Sequence, residues 1–143
     1  PLLVTAHQED EGMFVNVLSI SEPTEGSIHL GNVEATEEVD LTGYEDVNYE
    51  PPPLAMGTAP DAICCSLANI VVVILRRKGL IVAFELDDGE ITLMASEDVG
   101  HCSIDAVMRY SAEVGGAEVV MLLADNENPK DGRIVSFCFR SAV

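Results

Sequence analysis

Lysine and arginine are missing from the first half of this chain. Residues 1–75 carry carboxylates throughout and no cation, and all 7 basic residues lie from Arg76 onward, against 25 acidic residues in the whole. The net charge is −18. A surface of one negative sign repels phosphate, which disfavours direct nucleic-acid binding. It also repels anionic lipid headgroups. Solubility, attraction to a basic partner and adaptation to high salt remain as uses for the charge. The last is disfavoured, because Glu outnumbers Asp and the excess is concentrated in one half.

Tryptophan is absent and aromatics make up only 5% of residues, so the core must be aliphatic. Cysteine is scarce, at positions 64, 65, 102 and 138, and no pair has CxxC spacing. Adjacent cysteines rarely bridge, so no disulfide framework is legible. Their apolar neighbours (Ile63, Phe137, Phe139) predict buried free thiols and a reducing compartment. No charged segment followed by an apolar run marks a secretory signal. The run Ala62–Leu75 is shorter than the ~20 residues of a spanning helix, and Asp61 and Arg76-Arg77-Lys78 bracket it. A cytoplasmic protein, or one within a particle assembled there, is the expectation.

What is present suits a globular domain: 143 residues, 48% of them apolar. A compact chain of this size buries roughly 68–70% of its unfolded surface. MFVNVLSI (13–20) alternates, with Met13, Val15 and Val17 on one side and Phe14 and Asn16 on the other. SEPTEG is a turn cluster, and SIHLGNVEA (27–35) predicts the returning strand of a hairpin. From Thr36 to Thr58 the chain is acidic and then rich in proline, which predicts a long connector. Pro60 and Asp61 suit the start of a short helix over 60–68.

The five β-branched residues Ile70–Ile74 favour pleated sheet over helix. Three strands follow, at 70–76, 80–87 and 90–96, with RRKG as the first turn and Asp88-Gly89 as a hairpin turn. IVVVIL has no polar face, so it should be central and covered on both sides. Ser103 as a cap, Asp105 and Arg109 at i,i+4, and Gly115-Gly116 as a stop predict a second helix over 104–114. AEVVMLLAD (117–125) and RIVSFCFRSAV (133–143) complete the set as strands. The expected fold is α+β: a two-layer, mainly antiparallel sheet with two short helices, in the order β-β-loop-α-β-β-β-α-β-β. The expected organisation is an acidic N-terminal arm and proline-rich connector, 1–58, and a compact α+β domain, 59–143.

Chemistry is thinly marked. His101-Cys102, just before the predicted second helix, is the one pair resembling a base beside a nucleophile. Neighbours on an extended chain point apart, however, and a buried or loop cysteine weighs more. Cys64-Cys65 with His101 matches no common zinc spacing. The clusters Glu9-Asp10-Glu11, Glu37-Glu38-Asp40 and Asp87-Asp88-Glu90 lack the alternating pattern of a calcium loop. No phosphate loop, GxSxG or HExxH occurs. No catalytic, cofactor-binding or metal-binding residues are therefore assigned, and no cofactor is expected.

The leading expectation is a non-catalytic structural or protein-interaction subunit of a larger assembly, such as a viral or phage capsid accessory protein, acting through its acidic arm. Its partners would be proteins with a basic surface, or further copies of itself, with no direct nucleic-acid contact and no membrane. The alternatives are an acidic inhibitor imitating nucleic acid and a small cytosolic enzyme with a Cys/His site.

Overall fold

A computed structural model describes residues 2–9, 11–20, 30–44, 62–113, 115–124 and 131–140. Ten strands run through them: β1 (Leu2–Glu9), β2 (Gly12–Ile20), β3 (Leu30–Asp40), β4 (Ala62–Leu67), β5 (Ile70–Leu75), β6 (Leu80–Asp87), β7 (Glu90–Asp98), β8 (Ser103–Ser111), β9 (Gly116–Ala124) and β10 (Gly132–Phe139). They form three antiparallel sheets, each an unbroken meander in sequence: β1-β2-β3, β4-β5-β6-β7 and β8-β9-β10.

The four-stranded sheet lies between the other two. Every side chain of β5 is buried. Val71, Val73 and Leu75 pack with Leu80, Val82 and Phe84 of β6 against Met13, Val15 and Val17 of β2. The alternate residues Ile70, Val72, Ile74, Ile81 and Ala83 pack against Ala117, Val119, Met121 and Leu123 of β9. Each fully buried aliphatic side chain contributes roughly 1.5–3 kcal/mol. A sheet that is apolar on both faces therefore requires two covers, and here both are sheets.

The α+β expectation is thus overturned: the described residues are all-β and contain no helix. The helix predicted over 60–68 is, from Ala62 on, strand β4, paired with β5 from Ala62↔Leu75 to Leu67↔Ile70. The helix predicted over 104–114 is strand β8, paired with β9. Pairing decides both cases: β5 and β9 each offer β4 and β8 a free edge to hydrogen-bond along, and the alternating burial of both segments suits a strand. Residues 36–40, expected in the connector, continue β3 along β2. The proline-rich stretch and the expected boundary at 58/59 lie outside the described residues.

The three central strands, the Asp88-Gly89 turn and the pairing of β2 with the returning β3 agree with the sequence reading. Asp88 and Gly89 both have positive φ (49° and 80°), as a type I′ hairpin requires. The β5–β6 turn does more than reverse the chain. Arg76 is 2% exposed, and its guanidinium donates to the carbonyls of Ser103 (2.9 Å) and Ile104 (2.7 Å) on β8. Lys78 Nζ donates to the Tyr44 carbonyl (2.9 Å), beyond β3. This turn therefore ties the central sheet to both covers.

The stacking also aligns the sheet edges. β4 lies against β8 and β1, and β3 lies against β7. One flank of the sandwich is therefore β1/β4/β8, and the opposite flank is β3/β7 with β10 on the same side.

Candidate functional site

His101, Cys102 and Ser103 form the crossover from β7 into β8, where no helix N-terminus exists to activate a thiol. The segment is pressed against the β5–β6 turn: Ser103 N–H donates to the Arg76 carbonyl (3.2 Å) and Val99 N–H to that of Gly79 (2.8 Å). Cys102 is 1% exposed and its Sγ faces its neighbour's carbonyl, 3.8 Å from Ser103 O. Burial pushes the Cys102 thiol up, and Arg76 and Arg77 only partly oppose this. A buried thiol held protonated is a poor nucleophile. His101 Nδ1 and Ser103 Oγ are buried without a hydrogen-bond partner. Such an orphaned group costs about 1–3 kcal/mol. The arrangement is a packed seam without an acid–base relay.

Cys64 and Cys65 are consecutive on the edge strand β4. Neighbouring protein atoms partly desolvate both thiols and raise them, although Cys64 keeps solvent contact, with a further contribution to Cys64 from Cys65 and to Cys65 from the Asp105 carboxylate. None of the four cysteines is in a disulfide, and Cys64 and Cys138 are exposed, correcting the expectation of buried thiols. Among the described residues no three His, Cys, Asp or Glu side chains gather as metal ligands. The acidic clusters instead sit at turns and strand ends. Asp40 accepts from Thr42 N–H (2.9 Å), and Thr42 lowers its pKa. Glu11 accepts from the Thr42 hydroxyl (3.3 Å). Asp10 lies outside the described residues.

A cleft of about 700 Å³ opens between β1 and the tips of two central hairpins. Leu3, Val4, Val71 and Leu86 make it apolar, with Ser66, Asn69 and Asp88 among its polar lining. Ala68 and Asp88, the non-glycine residues with positive φ among the described residues (53° and 49°), both line it. The cleft suits an apolar group and offers no nucleophile paired with a base.

Two surfaces differ sharply in charge. β3 and β7 carry Glu34, Glu37, Glu38, Asp40, Glu90, Glu97 and Asp98 and no Lys or Arg. The third sheet is balanced: Asp105, Arg109, Glu118 and Arg133. Its outward side chains fall in three rows set by register: Arg109–Glu118–Cys138, Val107–Val120–Ser136 and Asp105–Leu122–Ile134. Arg109 forks onto Glu118 at 3.1 and 3.2 Å. Ile134 is 74% exposed, Val107 60% and Leu122 38%. The sequence reading missed this face, because β8 was expected to be a helix whose apolar stripe was turned inward.

No family model matches the chain, and no curated protein or solved structure matches it. Among the described residues, no helix is long and apolar enough to cross a membrane.

Proposed function

We propose that this protein is a non-catalytic binding subunit of a larger assembly, presenting the acidic β3/β7 edge to a partner with a basic surface. The supporting observation is the alignment of two edge strands, both acidic and both without cations, on one flank. Like charges gathered on one flank repel. A cationic partner relieves that repulsion and is steered in rapidly at low salt. The free thiols favour a reducing, cytoplasmic setting. The raised Cys102 thiol argues against a Cys/His enzyme.

The test is recovery of a partner from the native source by the immobilised chain at low salt. The chain with Glu34→Lys and Glu38→Lys should lose that partner, as should the unaltered chain at raised salt. Equal recovery by the charge-reversed chain would remove the acidic edge from the interface.

Imitation of nucleic acid is a second reading of the same edge. Glu38 and Asp40 share a face of β3, with Glu34 beyond a register shift. Alternate residues of a strand repeat every ~6.6–6.8 Å, about twice the 3.4 Å axial step per phosphate of one DNA strand. Displacement of the partner by duplex DNA supports imitation, and simultaneous binding of DNA and this protein excludes it.

A further inference from the structure

The acidic edge cannot serve for self-association, because two chains of −18 would meet carboxylate to carboxylate there. The outer face of the third sheet differs. It carries Arg109 beside Asp105 and Glu118, with exposed Val107, Leu122 and Ile134 around a shallow depression of about 190 Å³.

The face is also complementary to itself. Consider a two-fold axis between two facing copies, lying across the strands. It lays β8 over β8, β9 over β9 and β10 over β10, and it reverses the order of the rows. The Arg109 row then faces the Asp105 row of the other copy, while Val107 and Val120 meet their own counterparts. Arg109 engages Glu118 through Nε and Nη2, which leaves the Nη1 donors directed to a second carboxylate. Reciprocal Arg109–Asp105 pairs thus flank a middle row of Val107, Val120 and Ser136, while Leu122 and Ile134 lie over Glu118 and Cys138 of the other copy; each contact occurs twice, the pattern of an isologous interface.

We propose that this protein forms a two-fold dimer through the outer face of β8–β10, with Arg109 of each copy opposite Asp105 of the other. The occupant is a second copy of this chain, and the proposal stands independently of the acidic edge. Three strands ~4.8 Å apart with 8–9 residues at ~3.4 Å each give a footprint of roughly 400 Å² per copy. A standard interface buries about 800 Å² per partner. Association is therefore weak and concentration-dependent. Salt strengthens it by screening the acidic remainder of each copy.

The test is sedimentation equilibrium of the full chain from about micromolar to about millimolar protein, at low and raised salt. The mass should rise from 15.3 kDa toward twice that, further at raised salt. Ile134→Asp, on an exposed site, should weaken association tenfold or more while leaving circular dichroism unchanged. Arg109→Asp and Asp105→Arg should each do the same, since each creates two like-charge contacts. An equal mixture of those two variants should regain the dimer, because both reciprocal pairs are then opposite in sign. Glu34→Lys with Glu38→Lys should leave the dimer intact even where partner binding is lost. A wild type that stays monomeric throughout overturns the proposal. So does an undiminished Ile134→Asp dimer, or a mixture that remains monomeric.

Discussion

Replacing Arg76 by Met tests whether the β5–β6 turn holds the layers together. Met retains an unbranched apolar stem but no donor, so the carbonyls of Ser103 and Ile104 lose the bonds they receive at 2.9 and 2.7 Å. A hydrogen bond to a charged group contributes about 1.5–3 kcal/mol, so two bring the loss to about 3–6 kcal/mol. Burying the guanidinium carries a desolvation penalty that Met avoids, which moves the expectation toward about 3 kcal/mol. That is a large share of the 5–15 kcal/mol typical of a domain. With a urea slope of about 1–3 kcal/mol/M, the midpoint should fall by about 1–3 M with the slope unchanged. Arg76→Lys, a point donor in place of a fork, should recover about half of the loss. Amide exchange should accelerate first at the start of β8, the segment the guanidinium tethers. A change within about 0.5 kcal/mol for Arg76→Met, the range of ordinary surface substitutions, would refute the reasoning and leave the guanidinium no part in holding the layers together.

Two further measurements probe the same seam. Gly79 has φ +60°, and a Cβ there would meet His101 O at 2.7 Å and His101 N at 2.9 Å, whereas Gly89 (φ +80°) faces open space. Gly79→Ala should cost more than about 2 kcal/mol and Gly89→Ala about 1 kcal/mol by urea unfolding, and equal costs would contradict the close approach. The raised Cys102 thiol ties stability to pH with a definite sign. Its contribution is complete below the ordinary thiol pKa of about 8.5, where both states are protonated. It is lost as pH climbs through the higher folded value, because the unfolded chain releases its proton first. The urea midpoint should therefore fall between about pH 8 and pH 10, and less steeply in Cys102→Ala; identical slopes would count against it.

Much of the core was legible because its strands carry a two-residue period or none. Met13, Val15 and Val17 were read on one face, and β5 was read as covered twice, as its burial shows. The two helices failed for identifiable reasons. In SIDAVMRYS, Ile104, Val107 and Met108 fit a helical stripe, but Ala106 and Met108 also alternate with Asp105, Val107 and Arg109, and the alternation won once β9 offered a partner. Asp105 and Arg109 share a strand face, and Arg109 reaches across to Glu118 instead. At β4 the reversal falls at Ala68-Asn69, where alanine takes φ +53°. Alanine rarely adopts that conformation and is no turn signal, so β4 and its hairpin were hidden. The dual tether of the β5–β6 turn was equally hidden. A basic triplet before glycine reads as solvated punctuation, and only the fold shows Arg76 buried. For the surfaces, the sequence announced the acidity but not its alignment on one flank, which depends on how the meanders stack.

That each sheet is one continuous stretch of chain has a consequence for biosynthesis. A ribosome releases the carboxylate-rich cover first, then the doubly apolar middle, and the second cover last. While β8–β10 are still being made, the row Ile70, Val72 and Ile74 has no lid, and such exposed β-rich surface is what nascent chains aggregate through. Pairing within each meander is local and therefore quick. The vulnerable interval is set by translation of β8–β10, and the negative charge already outside the ribosome keeps unfinished chains apart until it ends.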